Sequence, residues 1–149
     1  MAIPNATRIP VPWEYVAPHG VLCLGVEPAI DFARRGQGDD QERDKETGER
    51  VWLVRGMDLD PDAGKFGASK ELKIRVVAPV QPVPPPATVP GYPPMVEFTG
   101  VTISPWADKQ SCKLPEQGKP HRCRARLAWS IRATGMTEPK AAGKPAKAA

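Results

Sequence analysis

The chain has 149 residues, enough for one domain with short tails, and 19 of them are proline. This proline content excludes long regular helices, because each internal proline removes a backbone hydrogen-bond donor and clashes with the preceding helical turn. The net charge of +4 is uneven, since residues 1–112 carry 12 basic and 15 acidic side chains whereas residues 113–149 carry 9 basic and 2 acidic ones.

Five β-segments with turn-rich connections are predicted in chain order. They cover residues 20–26 (resuming at 29–32 after a kink at Pro28), 51–57, 71–78, 95–103 and 122–134. Residues 1–18 before them are an extended N-terminal lead-in. Residues 137–149 after them are a disordered basic tail, because they lack the apolar bulk needed to fold. A single domain is therefore predicted over residues 19–136.

The connections between these segments are polar or rich in proline. Residues 33–50 are charged and predict a mobile hairpin loop that turns at Thr47 and Gly48. Residues 79–86 form a stiff polyproline-like connector, which cannot join a central sheet. Residues 104–121 form a basic loop.

The fourth segment changes phase at Gly100. Val96 and Phe98 share one face of the strand, whereas Val101 and Ile103 fall one step out of register with them. A β-bulge at the glycine would restore burial for all four side chains.

These segments indicate an all-β fold, because helical periodicity is almost absent. Five strands suit a small five-stranded antiparallel barrel of the OB-like type, in which closure also protects the strand edges. An open β-sandwich is the alternative that counting strands leaves open.

Arginines alternate with apolar or small residues along the last segment. One face would carry the basic side chains Arg122, Arg124, Arg126 and Arg132. Two strand residues advance by about 6–7 Å, close to the spacing of phosphates along an extended nucleic-acid strand. The alternation predicts a phosphate-binding face, with a merely solvated strand face as the alternative.

Lys73 and Arg75 repeat this pattern on the third segment, so both strands are expected to line one basic groove. Trp106 follows the fourth segment and is a candidate for stacking on bases, whereas Trp52 and Trp129 are expected to pack in the core. The predicted nucleic-acid-binding residues are Arg122, Arg124, Arg126, Arg132, Lys73, Arg75 and Trp106.

Neither catalytic residues nor a metal or other cofactor are expected. The chain has no Gly-rich phosphate loop, no Gly-x-Ser-x-Gly elbow and no His-Glu-x-x-His motif. Cys112, His121 and Cys123 offer three metal ligands, but structural zinc sites have four ligands and closely spaced cysteine pairs. A disulfide between Cys112 and Cys123 is the alternative, and a reducing cytoplasm disfavours it. Cys23, between two leucines, is expected to be buried.

Four segments together resemble those of a known family. They are residues 1–5, 78–84, 96–101 and 126–136. The chain resembles the small actinobacterial activators of plasmid replication, integration and excision, which integrative and conjugative elements carry. The resemblance covers residues 1–136 and implies an accessory factor that switches such an element between its integrated and replicating states. It brings no active site with it.

Residues and resemblance together predict a non-enzymatic, DNA-binding accessory protein that binds single-stranded or distorted DNA. The alternative is an adaptor that recruits the replication initiator or recombinase of the same element, with residues 79–86 and 33–50 as contact surfaces. No secretory signal and no membrane-spanning stretch are recognisable, so a cytoplasmic location is expected and no membrane partner.

Overall fold

The computed structural model describes residues 3–4, 7–65 and 69–140. Its strands are β1 (Ile9–Pro10), β2 (Val21–Pro28), β3 (Val51–Asp58), β4 (Glu71–Val77), β5 (Met95–Thr99), β6 (Thr102–Asp108), β7 (Arg126–Ala133) and β8 (Gly135–Thr137). One helical turn, α1 (Trp13–Val16), and a 3-10 turn (Phe32–Arg34) complete the elements. The predicted all-β class is therefore confirmed, and neither helical segment of the described chain could cross a bilayer.

The strands form one sheet that curls into a half-barrel in the order β1-β6-β7-β4-β3-β2-β5-β8. This order differs from the expected five-stranded antiparallel barrel in three respects. The described sheet has eight strands, it ends in two edge strands, β1 and β8, and β4 pairs with β7 in parallel. β1 and β8 have two and three residues, too few for a readable alternation.

The chain changes sheet partners at Gly100, so the expected fourth strand is two strands and not one bulged strand. Gly100 has a φ of +61°, and a Cβ there would collide with the side chain of Thr134. Val96, Phe98 and Val101 are buried, as the phase change predicted, whereas Ile103 is only partly buried.

The arginine-rich strand starts later than predicted. β7 begins at Arg126, whose Cα partner is Asp108, the last residue of β6. Past Asp108 the chain turns, with the Cys112 amide donating to the Lys109 carbonyl at 2.9 Å. Residues 122–125 therefore have no strand partner in β6, and they adopt no regular structure.

The other connections follow the sequence more closely. The turn at Thr47 and Gly48 is confirmed, with Gly48 at a φ of +72°. Residues 79–94 contain no strand, as the proline pattern predicted. The predicted tail contributes Thr137 to β8, and its residues 141–149 lie outside the described part of the chain.

The core fills one face of the sheet, and the N-terminal segment covers it. Ile74 and Val76 on β4 are fully buried against Ile131 and Ala133 on β7. The expected lead-in is not simply extended, since it contributes β1 and places Trp13 in this core. The Trp13 ring packs edge-on against Phe98, with 4.9 Å between ring centroids, whereas Tyr15 is exposed.

The buried Trp13 ring should make the N-terminal segment essential for stability. Trp13→Ala should lower the free energy of unfolding by about 3–5 kcal/mol, because it removes a large aromatic side chain from the core. Tyr15→Ala on the same turn is the control and should cost no more than about 0.5 kcal/mol. Urea unfolding followed by far-UV circular dichroism measures both, and equal stabilities of the two variants would contradict the packing described.

Candidate functional site

The parallel pairing of β4 with β7 places two of the predicted DNA-binding arginines side by side. Arg75 and Arg132 are Cα partners in this ladder. Both guanidinium groups bind the Glu42 carboxylate, Arg75 Nε to Oε2 at 3.2 Å and Arg132 Nη2 to Oε1 at 3.5 Å. One carboxylate of the 33–50 segment thus separates two like charges.

Asp44 supplies a second carboxylate to Arg132, whose Nη1 donates to Asp44 Oδ1 at 2.8 Å. The same carboxylate accepts the Thr47 amide at 3.0 Å and the Thr47 hydroxyl at 3.1 Å. Burial raises the pKa of Asp44, but the Thr47 hydrogen bonds and the charge of Arg132 together lower it by more. The pKa of Asp44 therefore lies below its usual value.

Arg8 completes this group, which we call the arginine–carboxylate cluster (Arg8, Glu42, Asp44, Arg75 and Arg132). Burial and the charge of Arg132 lower the pKa of Arg8, although Asp44 partly opposes them. Arg8 Nη1 and Arg132 Nε are buried and have no hydrogen-bond partner among the described residues. Arg75 and Arg132 thus form ion pairs with these two carboxylates, and the charges of the same carboxylates also act on Arg8.

The other predicted residues lie elsewhere. Lys73 is exposed on β4, where its Cα partner is Arg55. Arg55 Nε donates to Glu71 at 2.8 Å, and this hydrogen bond lowers the pKa of Glu71. The expected groove lined evenly by basic side chains is therefore a face on which carboxylates alternate with basic groups.

β6 and β7 extend past the rest of the sheet as a two-stranded ribbon. β7 pairs with β4 only over residues 131–133, and β6 pairs with β1 only at Thr102 and Ile103. The ladder between β6 and β7 continues for five more pairs, from Ser104–Ser130 to Asp108–Arg126. We call residues 104–130 the β-ribbon. Pro105 is compatible with it because the outer edge of β6 has no partner strand there in the described chain.

Two tryptophans stand on opposite faces of the β-ribbon. Trp106 faces the same side as its Cα partner Ala128, and Trp129 the same side as Pro105. Trp106 is 48% exposed and Trp129 47% exposed. The prediction that Trp129 packs in the core is wrong, because β7 pairs with β4 only from Ile131 onward and Trp129 lies outside that pairing. Trp52 is 9% exposed and is buried as expected.

The connection at the end of the β-ribbon carries most of its charge. Residues 109–126, which are the connection and the first residue of β7, contain six basic side chains and one acidic side chain, Glu116. Arg122, Arg124 and Arg126 are all exposed. These three arginines and Trp106 therefore all belong to the β-ribbon, whereas Arg75, Arg132 and Lys73 lie outside it.

Glu42 and Asp44 were not predicted as partners of the arginines. Their signal was a period of two, since Asp40, Glu42, Asp44 and Glu46 alternate with other residues in a segment that was interpreted as a loop. The segment is partly extended, with bridges from Ile30 to Gln41 and from Arg43 to Arg50. The convergence of Cys112, His121 and Cys123 was not predicted either, because their spacing matches no common zinc motif.

No family model, curated protein or solved structure matches the chain.

The lowered pKa of Asp44 predicts an acid-sensitive contribution to stability. A carboxyl group whose pKa is lower in the folded state stabilises the fold fully above its unfolded value of about 3.9 and loses that contribution as the pH falls through its folded pKa. Asp44→Asn should lower the free energy of unfolding by about 1–2 kcal/mol at pH 7, and the difference from wild type should shrink below about pH 4.

Glu49→Gln is the matched control, because Glu49 is exposed in the same segment and carries the same charge. Denaturant unfolding at several pH values between neutral and acidic checks the prediction. A difference for Asp44→Asn that does not change with pH would contradict the role given to this carboxylate.

Proposed function

We propose that this protein binds DNA through the β-ribbon, with Arg122, Arg124 and Arg126 contacting phosphates and Trp106 stacking on a base. The observation that carries this proposal is the coincidence of exposed tryptophans with a basic connection on a two-stranded projection. Phosphate contacts by arginine supply affinity without sequence preference, and aromatic side chains add stacking energy.

Single-stranded or locally unpaired DNA is the target that we favour. An unpaired base has a free face, and stacking on an aromatic side chain contributes about 1–3 kcal/mol per base. Trp106 and Trp129 expose about half of their surfaces on opposite faces of the β-ribbon, so each face offers one platform. A two-stranded ribbon also fits the major groove of a duplex, and direct comparison of the two DNA forms distinguishes these targets.

The biological role that we propose is that of a non-enzymatic accessory factor of an actinobacterial integrative plasmid, which activates replication, integration and excision. This role rests on the resemblance of residues 1–136 to that family. DNA binding by the exposed, basic β-ribbon is compatible with this role, since such a factor acts where DNA is opened or rearranged. The OB-like barrel expected from the sequence is not needed for this mode of binding.

Removing two arginines from the β-ribbon should weaken DNA binding and its dependence on salt. The variant Arg122→Ala/Arg124→Ala should bind a fluorescent single-stranded oligonucleotide less tightly at every salt concentration. Its log–log salt slope should fall in magnitude by about 1.4, since each phosphate contact on a single strand contributes about 0.7. Fluorescence anisotropy over a salt series, with single-stranded and duplex DNA, provides the measurement.

Arg34→Ala/Arg35→Ala is the matched control. These two arginines are exposed at the 3-10 turn and carry the same charge. If both double variants lose the same affinity, binding reflects net charge alone and the β-ribbon has no special role. Absence of binding by the wild-type chain at low salt would refute the proposal.

A second candidate function is a protein-interaction adaptor, and the proline-rich connector supports it. Val80 and Val83 are 73% and 82% exposed in a segment without strand partners, so they offer apolar contacts on a stiff backbone. A pull-down of the element's initiator or recombinase should then survive Arg122→Ala/Arg124→Ala but fail when residues 79–94 are replaced by a Gly/Ser linker. The opposite pattern would exclude the connector as the contact.

A further inference from the structure

Three potential metal ligands meet where the β-ribbon ends. The Sγ atoms of Cys112 and Cys123 and a ring nitrogen of His121 all lie within 4.8 Å of one another. Cys112 follows the end of β6 by four residues and Cys123 precedes the start of β7 by three. The ladder holds Asp108 and Arg126 opposite each other, so it also holds these two cysteines close.

We propose that Cys112, His121 and Cys123 bind one zinc ion. Two thiolates and one imidazole are a ligand set that suits Zn²⁺ and excludes the hard cations Mg²⁺ and Ca²⁺. Tetrahedral zinc with Zn–S bonds of about 2.3 Å requires sulfur atoms about 3.8 Å apart. The trio is therefore within about 1 Å of binding geometry, a gap that side-chain rotation can close because His121 and Cys123 are exposed.

The charges around the trio are compatible with a bound cation. In the loaded site, two thiolates balance the two charges of zinc and the imidazole is neutral, so the site carries no net charge. Lys109 and Lys113 line the same open cavity as the three ligands, and their charges do not oppose a loaded site that is itself neutral. The described residues offer no fourth Cys, His, Asp or Glu in this group. The fourth position is thus left to water or to a ligand from a partner.

A metal ion at this site would hold the connection in place, which the sheet and its core do not do. Residues 109–125 are exposed throughout except for the half-buried Cys112, so no hydrophobic core holds them. An ion bound at both ends of the connection closes a short loop and restricts its unfolded conformations. Arg122 and Arg124 are the chain neighbours of Cys123, so bound zinc would restrict the motion of their backbone. The site itself does not depend on DNA binding.

The test is a zinc titration of the full chain, kept reduced and first stripped of metal with a chelator. One Zn²⁺ per chain should bind with release of protons, and Co²⁺ should give the absorption of a tetrahedral thiolate complex. Cys112→Ser and Cys123→Ser should each abolish binding. His121→Ala should weaken it by at least the roughly tenfold loss typical of an outer-shell change. Cys23→Ala and His19→Ala lie outside the trio and should bind as wild type does.

Trypsin cleavage gives an independent measurement without metal analysis. The connection contains four trypsin sites, after Lys109, Lys113, Arg122 and Arg124, because the bond between Lys119 and Pro120 resists trypsin. Zinc should slow cleavage at these sites, and a chelator should reverse the protection. All three ligands are exposed or half-buried, so circular dichroism should show that the variants keep the fold.

Two outcomes would overturn the proposal. The first is that the reduced chain takes up no stoichiometric zinc. The second is that the Cys112→Ser/Cys123→Ser double variant binds as much zinc as wild type. If the reduced chain binds no zinc while air oxidation removes two hydrogens at Cys112 and Cys123, the pair is a disulfide and the zinc site is refuted. None of these results depends on nucleic acid, so they are distinguishable from a failure of the proposed function.

Discussion

The parallel pairing of β4 with β7, through Ile74 opposite Ile131, is the interaction on which the rest of the structure depends. Ile74 is fully buried and Ile131 nearly so, which fixes the register of β7 against the centre of the sheet. That register places Arg132 beside Arg75 and leaves the first half of β7 with β6 as its partner strand. The arginine–carboxylate cluster and the β-ribbon are both consequences of it.

The register also divides the arginines into two groups with different physical roles. Arg75 and Arg132 lie next to each other on neighbouring strands, where their repulsion would be costly without Glu42 and Asp44. Arg122 and Arg124 lie in the exposed connection. We therefore assign the first pair to stability and propose the second for binding, which separates the effects of their substitution.

Short-range patterns predicted the strands that alternate over seven or eight residues. β3 and β4 lie within a residue of their expected ends, because an apolar period of two is local information. The parallel pairing was not predictable in this way, since it joins Ile74 to a residue nearly sixty positions later. The alternation of arginines did indicate a strand, but its start at Arg126 depends on where the partner strand β6 ends, which the alternation alone does not reveal. The convergence of Cys112, His121 and Cys123 depends on the same long-range pairing.

The most direct test of this account is an NMR titration of the isotopically labelled chain with a single-stranded oligonucleotide. The Nε–Hε signals of Arg122 and Arg124 and the indole signal of Trp106 should shift, whereas the Nε–Hε signals of Arg75 and Arg132 should stay in place. Shifts centred on Arg75 and Arg132, with the β-ribbon signals unchanged, would contradict it.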